Sequence, residues 1–288
     1  MTRGFRRWTF VGLLVVLFCV AGKTAQATPI VPGFNSNTLP ANDDGSTGLI
    51  NQGFSFNYFG TTYTQTYVNN NGNITFTGPL STYTPFGLTT NTGTPIIAPF
   101  FGDVDTRGAG SGLVTYGTGT FTGNGATNAS TFGINWPSVG YFADHTDLLN
   151  SFQLLLVSRS DLAAGDADIY FNYGSIQWET GDASGGSGGF GGACAHAGYT
   201  NGSGAPGTNF EIPGSGVCGA FINGGPNQLQ NSTNDNVPGQ WLFEVRNGEV
   251  TQPTTSPGVI TPEPASLLLL GSGLGAVAMR LRRKNRKG

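Results

Sequence analysis

Positive charge is almost absent from the central part of the chain. Residues 28–262 contain no lysine and only three arginines, Arg107, Arg159 and Arg246. They carry 15 of the 16 acidic residues, all except Glu263, so their formal charge is 3 − 15 = −12, whereas the whole chain has a net charge of −3. Such a surface repels nucleic acids and anionic lipids, so neither is an expected partner, and it attracts cations such as Ca²⁺.

Histidine is scarce as well, because His145 and His196 are the only two in the chain. A hydrolytic triad needs a histidine beside a nucleophile and an orienting acid, and we expect both histidines on solvated loops. His196 and Cys194 alone are too few ligands for a zinc site. The sequence therefore predicts a protein that is not an enzyme. The alternative is a glycan-active enzyme in which Glu179 and an aspartate form a carboxylate pair.

Cysteine is the third scarce residue, with three in the chain. Cys19 lies within the N-terminal apolar run and follows Phe18, where a lipoprotein signal needs a small residue, so no lipidation is expected there. Cys194 and Cys218 remain, and in an exported chain they are predicted to form one disulfide. The alternative is a pair of free thiols.

The N-terminus has the three parts of a secretory signal. Basic residues precede an apolar run over residues 8–22, and Ala25 and Ala27 form the small-x-small pattern of a cleavage site. Residues 1–27 are therefore predicted to be a helical signal peptide that is removed after Ala27. The alternative is a retained membrane anchor.

A second signal occupies the C-terminus, residues 261–288. The motif Pro262-Glu263-Pro264 precedes an apolar segment, residues 265–279, and a basic end, residues 280–288. As a helix, the apolar segment is predicted to form a transmembrane span of about 22 Å, which is short for a bilayer. The basic end is expected to stay on the cytoplasmic side. The alternative is an ordinary single-span anchor.

This tripartite tail resembles the PEP-CTERM sorting signal, which exosortases process in Gram-negative bacteria. The resemblance implies transient anchoring in the inner membrane, cleavage near the Pro262-Glu263-Pro264 motif, and release or transfer to the outer surface. It also implies an association with exopolysaccharide and biofilm. We therefore expect an exported protein of the cell envelope, its outer surface or the extracellular matrix, with an exosortase as processing partner.

The whole chain is rich in glycine and aromatic residues, with 47 Gly, 20 Phe and 9 Tyr, and its body has no helical period. Residues 28–50 are predicted to be a leader. Alternating apolar residues then predict a strand over Phe54–Tyr58, and Asn69–Gly72 predicts a hairpin turn. A second hairpin is predicted around Gly174, whereas residues 181–204 are predicted to lack regular structure. Short strands with frequent turns predict an all-β fold, an antiparallel β-sandwich or barrel-like domain.

Several blocks of the body resemble, in family order, a nidogen-like (NIDO) domain. The blocks are Phe56–Gly60, Val68–Phe76, Ile97–Arg107, Thr131–Trp136, Asn150–Leu154, Gly165–Phe171, Ile176–Glu179 and Ala197–Tyr199. The resemblance covers residues 51–247, so residues 248–260 are expected to be a linker to the tail. It implies an extracellular matrix or adhesion protein whose domain binds rather than catalyses.

Two pairs of aspartates offer a candidate Ca²⁺ site. Asp103 and Asp105 are two residues apart, as are Asp166 and Asp168, so each pair would lie on one face of a strand. Ca²⁺ takes six to eight oxygen ligands. The alternative is that these aspartates form turns, with Asp103 or Asp105 paired to Arg107.

The sequence as a whole predicts an adhesion or assembly protein associated with exopolysaccharide or with other surface proteins. One alternative is a secreted glycan-binding lectin or glycan-active enzyme, and a second is a structural coat protein without a specific ligand. Aromatic rings that could stack on sugars are expected mostly in the core. They are Tyr58, Tyr63, Tyr67, Trp136, Tyr141 and Trp178.

Overall fold

A computed structural model describes residues 29–253 and contains fourteen strands and one 3-10 turn, Asp182–Ser184. The predicted signal peptide and the sorting tail lie outside the described residues. The strands are β1 (Asn37–Thr38), β2 (Ile50–Tyr58), β3 (Thr61–Asn69), β4 (Asn73–Thr75), β5 (Ile96–Phe101), β6 (Val104–Asp105), β7 (Thr115–Gly123), β8 (Ala126–Tyr141), β9 (His145–Ser158), β10 (Ala167–Tyr173), β11 (His196–Thr200), β12 (Asn209–Glu211), β13 (Gln240–Arg246) and β14 (Glu249–Thr251).

The strands form two antiparallel sheets, which confirms the predicted fold class. The larger sheet has the order β1-β7-β8-β9-β10-β13-β14, with β6 paired to β8, and the smaller has the order β12-β11-β5-β4-β3-β2. Strands β8 and β9 are the longest, with 16 and 14 residues, and they form the centre of the larger sheet. Strand β8 pairs with β6, β7 and β9, so residues that are far apart in sequence lie side by side in this sheet.

Aromatic side chains fill the space between the sheets. Trp136 stacks on Phe152, with ring centroids 4.9 Å apart, and Phe100 of the smaller sheet contacts both Phe152 and Trp178. Each indole N–H has a main-chain acceptor: Trp136 donates to Asn70 and Trp178 to Val139. Large buried rings with satisfied polar atoms account for a stable core in a chain with so few charges.

The predicted hairpin turn at Asn69–Gly72 is present between β3 and β4. Gly72 has a φ of +75°, and a Cβ at this position would overlap the carbonyl oxygen of Phe100. Only glycine fits, because it tolerates positive φ and lets another backbone approach closely. The asparagines of the turn are buried instead of facing solvent, so the turn is part of the interior.

The predicted leader and linker are partly built into the fold. Phe34 is buried and packs with Leu155 and Leu242 on the outer face of the larger sheet, and strand β1 pairs with β7. At the other end, β14 pairs with β13. Burial of the apolar residues on that outer face is favourable, and Phe34 of the predicted leader shields them from solvent.

The second predicted hairpin is wrong, because the chain after β10 forms no strand over residues 174–180. The side chain of Asn150 takes the place of a partner strand there. It accepts hydrogen bonds from the amides of Gln177 and Trp178 and donates to the Trp178 carbonyl. The prediction for residues 181–204 also needs correction, because β11 lies within them.

A disulfide joins Cys194 and Cys218, whose Cα atoms are 5.3 Å apart, which confirms the predicted pairing. The bond connects the residues just before β11 to a long segment without strands between β12 and β13. A closed loop of 24 residues contributes about 3 kcal/mol in the chain-entropy model. The disulfide thus stabilises the part of the domain with the fewest strands.

Candidate functional site

The loop over residues 42–47 lies against the buried asparagine turn and carries two acidic residues. Asn70 Nδ2 donates hydrogen bonds to the main-chain carbonyl oxygens of Asp43 and Val104. Ser46 Oγ donates to Asn69 Oδ1 at 2.7 Å, and Asn71 Nδ2 donates to Asp44 Oδ1 at 2.8 Å. The asparagine side chains therefore fix the position of the loop and of the Asp44 carboxylate.

Asp43, Asp44 and Asp103 form an acidic cluster. One carboxylate oxygen from each residue lies within 4.8 Å of the other two. Asp103 comes from the connection between β5 and β6 and is only 1% exposed, whereas Asp43 and Asp44 are half-buried. Hard cations bind to oxygen sets of this type, so the cluster is a candidate metal site.

The electrostatics of the cluster are unfavourable for three bare carboxylates. Burial, together with the charges of Asp43 and Asp44, raises the pKa of Asp103 to about 8. Burial and the charge of Asp44 raise the pKa of Asp43 to about 6, although Arg107 acts against this. A positive charge between the carboxylates would relieve both effects.

Asp105 faces a different partner from Asp103. Its carboxylate binds Arg107, with Nη2 at 2.6 Å and Nε at 2.9 Å, and it also accepts the Asp144 amide. Burial opposes ionisation, but these hydrogen bonds prevail and lower the pKa of Asp105. The predicted alternative, an aspartate paired to Arg107, therefore describes Asp105 and not Asp103.

Asp166 and Asp168 lie in a separate place. Asp168 is fully buried and binds both Arg159, at 2.9 Å, and Arg246, at 2.6 Å. Asp166 Oδ1 accepts the amide of Asn247. Strand β8 shows how far apart the two pairs are. Asp105 pairs with Gly140 of β8, and Asp168 pairs with Val157 of β9, which in turn pairs with Thr131 of β8. At about 3.3 Å per residue, the distance from Thr131 to Gly140 along the strand is roughly 30 Å.

The two aspartate pairs considered as Ca²⁺ ligands therefore lie in separate places, and within each pair the two carboxylates have different partners. The structure keeps Asp103 as a candidate ligand and replaces the other three with Asp43 and Asp44. Both were overlooked because they belong to the predicted leader. The local signal was the run Asn42-Asp43-Asp44-Gly45, which is a polar turn with two adjacent carboxylates.

Glu179, the candidate for glycoside cleavage, has a structural position. It is 1% exposed, and its carboxylate accepts the main-chain amides of Gly219 and Phe221. Burial raises its pKa, although both hydrogen bonds act in the opposite direction. A carboxylate bound in this way holds the loop beside the disulfide.

Both histidines begin strands instead of lying on loops, contrary to expectation. His145 stacks on Tyr141 and lies 3.2 Å from Asp182, and His196 Nδ1 lies 2.7 Å from Glu211 Oε1. The hydrogen bond from the Leu88 amide also reaches Glu211. Each histidine thus joins its strand to a neighbouring segment.

The aromatic rings considered for sugar stacking are mostly internal, as expected. Tyr58, Trp136, Tyr141 and Trp178 are at most 2% exposed. Tyr63 and Tyr67 are half-buried, and Tyr63 stacks on Phe76.

Within residues 29–253 there is no helix with the length and apolar character required to cross a bilayer.

Comparison with known families gives two matches. Residues 64–247, more than half of the chain, match the nidogen-like domain family. Residues 261–284 match the PEP-CTERM protein-sorting motif. The sorting match includes the Pro262-Glu263-Pro264 motif and part of the basic end. No solved structure matches significantly.

Several animal proteins are similar to the chain. Alpha-tectorin of Homo sapiens is 32% identical over 254 residues, covering 81% of this chain and 11% of that protein. Alpha-tectorin of Gallus gallus is 32% identical over 281 residues, covering 91% and 12%. Nidogen of Drosophila melanogaster is 30% identical over 238 residues, covering 73% and 16%. The chain thus spans only a small part of the length of these relatives.

Proposed function

The chain belongs to the nidogen-like domain family and carries a PEP-CTERM sorting motif, and from this premise we propose that it mediates adhesion or assembly on exopolysaccharide. Family and motif together indicate export to the cell surface or extracellular space, with processing by an exosortase. The observation that carries the proposal is the order of the parts, in which a domain of a binding family is followed directly by a signal for surface sorting.

The negative charge of the domain favours a neutral polysaccharide over an anionic one as its ligand. All three arginines of residues 28–262 lie in ion pairs, with Asp105 for Arg107 and with Asp168 for Arg159 and Arg246. A surface with a formal charge of −12 and no unpaired guanidinium among the described residues repels an anionic polymer. We therefore propose a neutral exopolysaccharide as the ligand.

An open depression of about 470 Å³ supplies suitable polar groups beside the β7–β8 turn. Its lining includes Thr127, Asn128, Ser130, Ser158, Ser160 and Asp161. Hydroxyl and amide groups both donate and accept hydrogen bonds, which suits the hydroxyls of a sugar. These groups make the depression a candidate binding place for a neutral glycan.

Processing can be measured on the protein extracted from the cell surface. We expect an intact mass that begins at Thr28, ends near the Pro262-Glu263-Pro264 motif, and is two hydrogens below the reduced form because of the disulfide. Substitution Glu263→Ala should leave the basic end attached and keep the protein in the membrane fraction. Unprocessed chain in the cytosol with both thiols reduced would contradict the proposed route.

Polysaccharide binding can be tested by retention on isolated neutral exopolysaccharide. Ser160→Glu should reduce retention at least fivefold, because it adds charge and bulk to the depression. Thr251→Glu is the matched control on the exposed strand β14 and should leave retention unchanged. Equal retention of both variants would place the binding site elsewhere, and absence of retention for the unaltered protein would favour another surface protein as partner.

A further inference from the structure

Two buried carboxylate oxygens in the acidic cluster have no hydrogen-bond donor. Across residues 29–253, five buried side-chain atoms lack a partner, and the two that belong to carboxylates are Asp43 Oδ1 and Asp103 Oδ2. Asp103 is 1% exposed, so solvent does not satisfy it. Because an unpaired buried carboxylate is among the most costly groups in a protein interior, a cation bound between these oxygens would stabilise the cluster.

The nearest guanidinium does not supply this partner. Arg107 Nη2 reaches Asp43 Oδ2 at 3.1 Å, but its other hydrogen bonds to carboxylates go to Asp105. Asn71 satisfies one oxygen of Asp44. Among the described residues, Asp103 therefore has no ion pair with a cationic side chain, and Oδ1 of Asp43 has no hydrogen-bond donor.

We propose that the acidic cluster of Asp43, Asp44 and Asp103 binds one Ca²⁺ ion, which links the loop over residues 42–47 to the β5–β6 connection. The three oxygens lie within 4.8 Å of one another. At bond lengths of 2.3–2.6 Å, Ca²⁺ bridges ligands up to about 5 Å apart. The half-buried positions of Asp43 and Asp44 leave room for water to complete the coordination shell.

The ligand set favours calcium over other divalent ions. All three donors are carboxylates, and neither histidine nor cysteine of the described residues belongs to the cluster, so zinc is not favoured. Mg²⁺ requires near-ideal octahedral geometry with shorter bonds of about 2.0–2.1 Å and prefers to keep several waters, which suits a site of three protein carboxylates less well. Ca²⁺ accepts the irregular arrangement.

Gly181 gives the site a second structural requirement. A Cβ on Gly181 would overlap Oδ2 of Asp103, so glycine is needed to leave this carboxylate in place. Gly181 has a φ of −86°, which any residue adopts, so its role is close approach and not backbone strain. Gly181→Ala should therefore displace a ligand without imposing a strained backbone conformation on the chain.

Calorimetric titration of the EDTA-treated, dialysed protein with CaCl₂ tests the proposal. We expect one ion per chain, a dissociation constant of about 10⁻⁴ to 10⁻³ M, as in extracellular modules, and a higher melting temperature in Ca²⁺ than in EDTA. Asp103→Asn and Gly181→Ala should weaken binding at least tenfold. In EDTA, Asp103→Asn should remain folded, because an amide of the same size replaces a buried carboxyl group whose Oδ2 has no hydrogen-bond donor.

Glu249→Gln is the control for general charge, because it removes one acid from exposed strand β14; it should bind as the unaltered protein does. No binding heat and no thermal shift at 10 mM CaCl₂ would overturn the proposal, as would equal binding by Asp103→Asn. An equal affinity for MgCl₂ would overturn the choice of ion. The inference does not rest on polysaccharide binding, which the depression variant Ser160→Glu tests separately.

Discussion

Replacing Asp168 with alanine is expected to lower the free energy of unfolding by about 3–5 kcal/mol. Asp168 is fully buried between Arg159 and Arg246, and Arg159 is itself only 5% exposed. Without the carboxylate, the two guanidinium groups face each other with no shared anion. Thermal and denaturant unfolding should both report a loss of this size, on the order of 10 °C in melting temperature for a domain this long.

Asp161→Ala is the matched control for this loss. Asp161 also binds Arg159, at 3.0 Å, but its side chain is 50% exposed. Solvent screens an exposed pair, so it contributes little to stability, and the melting temperature should remain close to that of the unaltered protein. Similar effects of the two substitutions would mean that Arg159 is not held by the buried pair.

Replacing Gly72 with alanine is expected to destabilise the domain by about 2–5 kcal/mol. Positive φ costs an alanine about 1–2 kcal/mol. The overlap of the new Cβ with the Phe100 carbonyl adds about 1–3 kcal/mol for overpacking. The effect should be visible in equilibrium denaturation, because the turn at Asn69–Gly72 lies inside the fold.

Gly60→Ala separates the two contributions to that loss. Gly60 has a φ of +82°, but a Cβ there would meet no atom within 4 Å. It should therefore show the cost of positive φ alone, about 1–2 kcal/mol. If Gly60→Ala and Gly72→Ala destabilise equally, the close approach of Phe100 is not important for stability.

Local patterns were sufficient to predict much of the fold. Alternation in Phe54–Tyr58 and the Asn-Gly turn at Asn69–Gly72 correctly predicted β2 and the β3–β4 hairpin. These signals arise between residues a few positions apart, so they do not depend on the rest of the chain. The same reasoning failed at Gly174, where Asn150 binds the following segment from a distant strand.

The candidate site could be predicted only in part. Asp103 was identified, but its partners Asp43 and Asp44 lie about sixty residues earlier in sequence. They meet it because asparagines of the β3–β4 turn bind the loop over residues 42–47. The spacing of two residues suggested that Asp103 and Asp105 act together. In the structure, however, Arg107 binds Asp105 and not Asp103.

The amino-acid sequence by itself determined the all-β character, the surplus of acidic residues, the disulfide pair and the sorting motif, because each depends on composition or on residues close along the chain. The tertiary structure alone decided which carboxylates receive an arginine and which are left without a donor. That choice depends on how separate loops and strands pack in space, and it turned a general excess of negative charge into a defined acidic cluster at Asp43, Asp44 and Asp103.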